Sequence, residues 1–256
     1  MLCRSNEGNP NGYDSVHEKN SPHYHPSRLA LAATLAGAIT LLLGTTGAVA
    51  ANAATAPVSL HSAAKFAVLA AATVTNTGAT TINGNLGLSP GTAVTGFPPG
   101  RVNGTVYTAD SVALQAQADL TAAYNDAAGR AVTATIPVEL GGTTVTPGVY
   151  NSAAGTFGIT GTLTLDAQGN PAAVFIFQAA STLITASASN VKLINGAKAA
   201  NVFWQVGSSA TLGTYSTLVG TVMALASITV TTGVTVHGRT LARTAAVTLD
   251  TDTINK

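Results

Sequence analysis

What most constrains this chain is a recurrence in its C-terminal half. The stretches Val174-Phe175-Ile176-Phe177-Gln178, Val202-Phe203-Trp204-Gln205-Val206, Thr221-Val222-Met223-Ala224-Leu225 and Arg239-Thr240-Leu241-Ala242-Arg243 read as one strand repeated. A second strand follows each: Ser181-Thr182-Leu183-Ile184-Thr185, Ser209-Ala210-Thr211-Leu212-Gly213, Ser227-Ile228-Thr229-Val230-Thr231 and Ala246-Val247-Thr248-Leu249-Asp250. The first interval is longer, but the last two are about 18 residues, enough for one coil of three short strands, and periodic stacking of this kind is the mark of a β-helix. A β-sandwich, the alternative for short alternating strands, has no need of one strand recurring in phase.

Within each second strand the residues alternate. Ile228 and Val230 point one way and Ser227, Thr229 and Thr231 the other, because strand side chains alternate faces. A solenoid has one narrow core, so the aliphatic pair is expected inside. The same phase places Thr211, Thr229 and Thr248 in one outward column, Ser209 and Ser227 in a second, and Thr185, Gly213, Thr231 and Asp250 in a third. Coils spaced ~4.8 Å apart and i, i+2 neighbours ~6.6 Å apart would make a regular grid. Threonine is stiff at χ1, so its methyls and hydroxyls could hold water in an ordered array, a mechanism for adsorbing to ice without pocket, charge or metal. Threonine is also simply a good residue for an exposed strand, and from the grid alone sugar binding and scaffolding remain open.

One segment departs from the β texture. Residues 110–129 lack proline and have no glycine before Gly129, while Ala113, Ala116, Leu120, Ala123 and Ala127 recur at three- and four-residue steps. That spacing predicts a helix over 110–129 with one buried face, Asp110 as N-cap and Gly129 at its end. Its small buried side chains suit close packing on a flat surface.

Charged residues are only 8% of the chain and the formal net charge is +1, so there is no electrostatic footprint for nucleic acid. The chemistry-bearing residues do not converge on a catalytic or metal site. His61 is expected in solvent and His237 on an outer strand position; Asp250 and Asp252 read as a solvated, charged end of the final coil. Trp204 is expected in the core or against the helix, and Arg239 and Arg243 are expected to bracket an exposed face. No enzyme activity, cofactor, metal or small-molecule substrate is expected.

Near the N-terminus Arg28 precedes an apolar run over residues 29–43, followed by Ala48-Val49-Ala50 and Ala51-Asn52-Ala53. Positive flank, apolar core and small-residue site together predict a secretory signal, and the run is short of the ~20 residues that span a bilayer. Residues 1–53 are thus expected to be a leader cleaved near Ala50 or Ala53, and 54–256 an exported domain, monomeric and not membrane-bound in its mature form. The single cysteine, Cys3, falls in that leader.

The chain resembles the bacterial and fungal ice-binding proteins of the DUF3494 type, an adhesin-like family, from about Phe66 to Ile254. The resemblance rests on Phe66-Ala67-Val68-Leu69-Ala70, Gly84-Asn85-Leu86-Gly87, Thr95-Gly96-Phe97-Pro98-Pro99-Gly100, Gln115-Ala116-Gln117-Ala118-Asp119-Leu120, Thr146-Pro147-Gly148-Val149-Tyr150, Asn201-Val202-Phe203-Trp204-Gln205-Val206 and Gly238-Arg239-Thr240-Leu241-Ala242. It implies a mainly β fold, a right-handed discontinuous β-solenoid of triangular section with one long helix alongside, and adsorption to ice through one flat face. It also implies a Thr-Ala/Gly-x-Thr/Asn motif, met by Thr77-Gly78-Ala79-Thr80 and Thr232-Gly233-Val234-Thr235. The candidate ice-face residues are then Thr77, Thr80, Thr185, Ser209, Thr211, Ser227, Thr229, Thr231, Thr232, Thr235 and Thr248, with the ice surface as partner. The other reading is an extracellular adhesion or structural module with little ice activity.

Overall fold

The computed structural model describes residues 55–256, so the leader expected over 1–53 lies outside the described residues. Every strand pairing within the two sheets is parallel. A seven-stranded sheet runs Phe157–Ile159, Leu183–Thr185, Ala210–Leu212, Ile228–Val230, Val247–Leu249, Thr73–Asn76, Ala93–Thr95 in spatial order. The larger, fifteen-stranded sheet folds into two halves, joined where Thr217–Ala224 and Thr235–Ala242 run from one half into the other. Each coil thus contributes up to three strands, and the fold is a β-helix.

The join shows why these coils need glycine. Gly220 and Gly238 stand in register at the bend, with φ 109° and 151°. A Cβ on Gly238 would run into the Gly220 carbonyl oxygen. Left-handed backbone packed this closely on the next coil admits no side chain.

One half of the larger sheet is buried on both sides. Phe66–Ala70 and Val202–Val206 are buried at every position, the pattern of a parallel sheet covered on both faces. Inward, Phe175, Phe177, Trp204 and Val222 join Leu183, Ile228 and Val247 in the core of the coils. Trp204 stacks on Phe177 at 4.2 Å between centroids, and its Nε1–H donates to the Val219 carbonyl at 2.9 Å. Outward, Phe66, Leu69, Ile176, Phe203, Met223 and Leu241 meet the helix Ser111–Gly129.

That helix matches the spacing that predicted it. Asp110 Oδ1 accepts from the Ala113 amide at 2.8 Å, and Ala113, Ala116, Leu120, Ala123 and Ala127 are all buried. Polar ties fix its placement: Gln117 Nε2 donates to the Ala242 carbonyl, Tyr124 Oη to that of Val206, and Gln178 Nε2 to that of Ala127. Arg239 and Arg243 belong to this covered side and do not bracket an open face. Arg239 donates twice to the Ala64 carbonyl, and burial lowers its pKa. Arg243 lies over the Tyr124 ring at 4.5 Å.

The order of coils in space is not their order in sequence. Val247–Leu249 pairs with Ile228–Val230 on one side and with Thr73–Asn76 on the other. Likewise Thr235–Ala242 pairs with Phe66–Ala70. The first coils of the domain therefore stack on the last, and the coil that ends the sequence lies inside the stack.

Candidate functional site

The seven-stranded sheet presents the open array. Register puts Gly158, Ile184, Thr211, Thr229, Thr248, Thr75 and Thr95 in one column. Five threonines thus occupy five successive coils without a break, about 19 Å end to end at the strand spacing. Their strand neighbours Ala210, Leu212, Ile228, Val230, Val247, Leu249 and Val74 are buried, which forces the threonines outward. Thr75 Oγ1 donates to Thr248 Oγ1 at 3.4 Å.

Two residue files flank this column. On one side lie Ser209, Ser227 and Thr73, with Ser209 and Ser227 hydroxyls 2.9 Å apart. On the other lie Gly213, Thr231 and Asp250. Thr231 Oγ1 donates to the Leu212 carbonyl at 2.7 Å and stands 3.2 Å from Thr214 Oγ1. Backbone and hydroxyl partners therefore pin several of these side chains, beyond their intrinsic stiffness. Asp250 is the one charge at the margin. The Thr232 hydroxyl, donating at 2.6 Å, chiefly holds its pKa below the usual carboxylate range, and Thr251 adds a second bond.

The sequence-based columns hold for Ser209, Thr211, Ser227, Thr229, Thr231 and Thr248. Thr185 does not belong to them. Leu183 pairs with Ala210, one residue out of the phase read from sequence, so Thr185 is level with Leu212 and is buried. Its hydroxyl donates to Ser216 Oγ and accepts from the Gly213 amide. The longer loop of that coil absorbed the slip, and a one-residue slip exchanges the two faces of a strand.

The two copies of the Thr-Gly-x-Thr motif are likewise out of phase. Thr81 pairs through Thr253 with Thr235, so Thr80 stands level with Asp252 and Val234. Thr80 is fully buried and its Oγ1 accepts from the Asp252 amide at 3.0 Å. Thr77 is exposed at the corner, Thr232 half-buried beside Asp250, and Thr235 opens a strand on the other sheet. Between them Gly233, with φ 74°, makes room for the Tyr215 ring.

Asp250 and Asp252 are not a solvated pair. Asp252 is only 1% exposed. Its carboxylate accepts from the Val234 amide at 2.9 Å and the Asp250 amide at 2.7 Å. Burial pushes its pKa up to about 7, the two amides acting the other way. Their coil has neighbours on both sides, which is why the solvated end read from sequence is wrong.

Sequence reasoning missed Thr73, Thr75 and Thr95. Their signal was present: Thr73-Val74-Thr75 and Ala93-Val94-Thr95 alternate as Ser227-Ile228-Thr229 does. Nothing in the linear order says that these strands continue the column after Thr248. Among the described residues there is no group of three or more His, Cys, Asp or Glu able to hold a metal, and no helix long and apolar enough to cross a membrane.

Comparison with known proteins places this array in context. Residues 68–255 match the sequence profile of a family described as ice-binding-like. An ice-binding protein from Nostoc sp. is 50% identical over 198 residues, covering 77% of this chain and 73% of that protein. One from Colwellia sp. is 38% identical over 214 residues, covering 77% and 83%. Among solved structures, the ice-binding protein of the Antarctic ascomycete Antarctomyces psychrotrophicus superposes with a TM-score of 0.75 at 44% identity, covering 78% of this chain and 98% of that one. An ice-binding protein from an Antarctic biological consortium gives 0.77 at 50% identity, covering 78% and 91%. A match across nearly all of the β-helix, at these identities and coverages, makes this chain a member of the ice-binding-like family.

Proposed function

We propose that this protein adsorbs to ice through the open seven-stranded face, limiting crystal growth and recrystallisation. The observation that carries the reading is the unbroken register of Thr211, Thr229, Thr248, Thr75 and Thr95. Each presents a methyl and a hydroxyl at a position set by the strand ladder. The methyls would cage water and the hydroxyls anchor it, so that an ordered layer forms before contact and merges with the lattice. Ser209, Ser227, Thr231, Thr77 and Thr232 extend the grid at its flanks. Family membership and relatives that are themselves ice-binding proteins support ice as the partner.

Finer features belong to the same proposal. The coils wind right-handed around a triangular section, which three strand columns and the handedness of parallel crossovers favour. The domain acts as a monomer without catalysis, cofactor or small-molecule substrate. It is exported after cleavage near Ala50 or Ala53, an inference from the leader sequence.

Thermal hysteresis and recrystallisation assays on the mature domain test this. Thr229→Tyr, in the middle of the column, is expected to remove most of the hysteresis while circular dichroism and the unfolding midpoint stay near wild type. Absence of ice shaping by the wild-type protein, with polysaccharide binding in its place, would favour the adhesion reading.

A further inference from the structure

We propose that ice is engaged on a second surface as well: the open half of the larger sheet, where threonines of four successive coils stand in register beside a hydrogen-bonded file of asparagines. This rests on the reading of the chain as an ice-adsorbing protein. Thr217, Thr235, Thr253 and Thr81 pair in sequence across four coils. Each is half-buried, the exposure class of Thr229, Thr248 and Thr75. The residues that follow them, Leu218, Val236, Ile254 and Ile82, are fully buried in the core. The threonines are therefore held outward by the same alternation that builds the first array.

Two residues further along, the Thr217 strand carries the buried Val219, and beyond it the other strands carry a second, polar file. Asn255 and Asn83 are paired in register, and Asn103 follows on the next coil. Asn103 Nδ2 donates to Asn83 Oδ1 at 2.8 Å, and Asn83 Nδ2 to Asn255 Oδ1 at 2.6 Å. A solvated asparagine ordinarily samples several rotamers, but a ladder of this kind fixes each amide and leaves its remaining donor and acceptor positions facing water. Both files are thus rigid, at the ~4.8 Å and ~6.6 Å spacings of the first array. His237 stands in the asparagine file, Arg101 closes the threonine file at one end, and Lys192 lies on a coil beyond it. These flank a smaller and more polar surface than the first one.

The two threonine columns lie on either side of the corner at residues 231–234, and both send their apolar residues into one core. They face different directions, so one crystal plane cannot meet both. A second set of ice planes follows.

The test uses fluorescently labelled mature protein on single-crystal ice hemispheres, together with hysteresis. Wild type is expected to label two sets of planes. Thr253→Tyr removes one set together with the smaller share of hysteresis that Thr229→Tyr leaves, and combining the two removes what remains, as independent sites require. Thr235→Tyr, at a neighbouring coil, repeats the measurement, with circular dichroism reporting the fold of each variant. If both second-surface variants are folded and leave hysteresis and labelled planes unchanged, the proposal is overturned. If wild-type protein labels no ice at all, it is the ice-adsorbing reading itself that fails.

Discussion

At the scale of single residues, the most consequential side chain outside the threonine columns is Asp252. Its carboxylate is buried and holds two amides of a corner. Its folded pKa of about 7 lies above the usual 3.8, so the folded state binds this proton more tightly than the unfolded chain. The stabilisation is complete below about pH 4 and disappears as pH rises through 7. The unfolding free energy is therefore expected to fall between pH 5 and 8 by roughly 2–3 kcal/mol, and Asp252→Asn should flatten the profile in denaturant titrations. Carboxylates shifted the other way, among them Asp119 by the Ser62 hydroxyl and Asp126 by Arg130, lose their contribution only in more acid solution and do not mask this window. Ile184 yields a second prediction. It is 53% exposed in the column that otherwise continues as threonine from Thr211. Ile184→Thr should lengthen the array to six coils and raise hysteresis without loss of stability; an unchanged value would place ice contact away from that end.

At the scale of elements, the helix and the strands differ in how openly the sequence displays them. The helix was legible because its small residues recur at helical spacing between Asp110 and Gly129, and every one of the five predicted buried positions is buried. Four of those side chains are alanine because the helix lies on a sheet whose outward residues include Phe66, Phe203 and Met223. Enlarging one should lift the helix. Ala123→Leu is expected to destabilise the domain by about 1–3 kcal/mol, measured by chemical denaturation, with ice activity little changed because the open faces lie elsewhere. The strands were legible as strands, but not always in phase. Leu183–Thr185 was read one residue out because its coil carries a longer insertion, and that slip alone moved Thr185 from core to surface. A four-residue motif of common residues suffered the same fate at Thr80.

At the scale of the whole molecule, the stack is closed by sequence-distant strands. Val247–Leu249 bridges Ile228–Val230 and Thr73–Asn76, and Thr253–Asn255 bridges Thr235–Ala242 and Thr81–Asn83. In an ordinary linear solenoid, losing a terminal coil removes a single interface, since each repeat touches only its neighbours. Here, deleting residues 244–256 would leave Phe66–Ala70 paired with Thr235–Ala242 but remove the strands that join the first coils to the rest on the other two sides, opening the core in the middle. The truncated domain is expected not to give a cooperative unfolding transition by circular dichroism, and a folded product would contradict the stacking order.

Sequence alone determined the local choices: alternation set which residues of a strand face the core, and small-residue spacing set the helix. These depend on neighbours within a few residues and on burying apolar side chains. The tertiary structure decided which strands lie next to one another. It carried the column past Thr248 to Thr75 and Thr95, enclosed Asp252 between coils, and aligned Thr217, Thr235, Thr253 and Thr81 on another surface. Parallel pairing joins strands far apart in the chain, and the free energy that selects partners comes from the assembled core, which no local pattern contains.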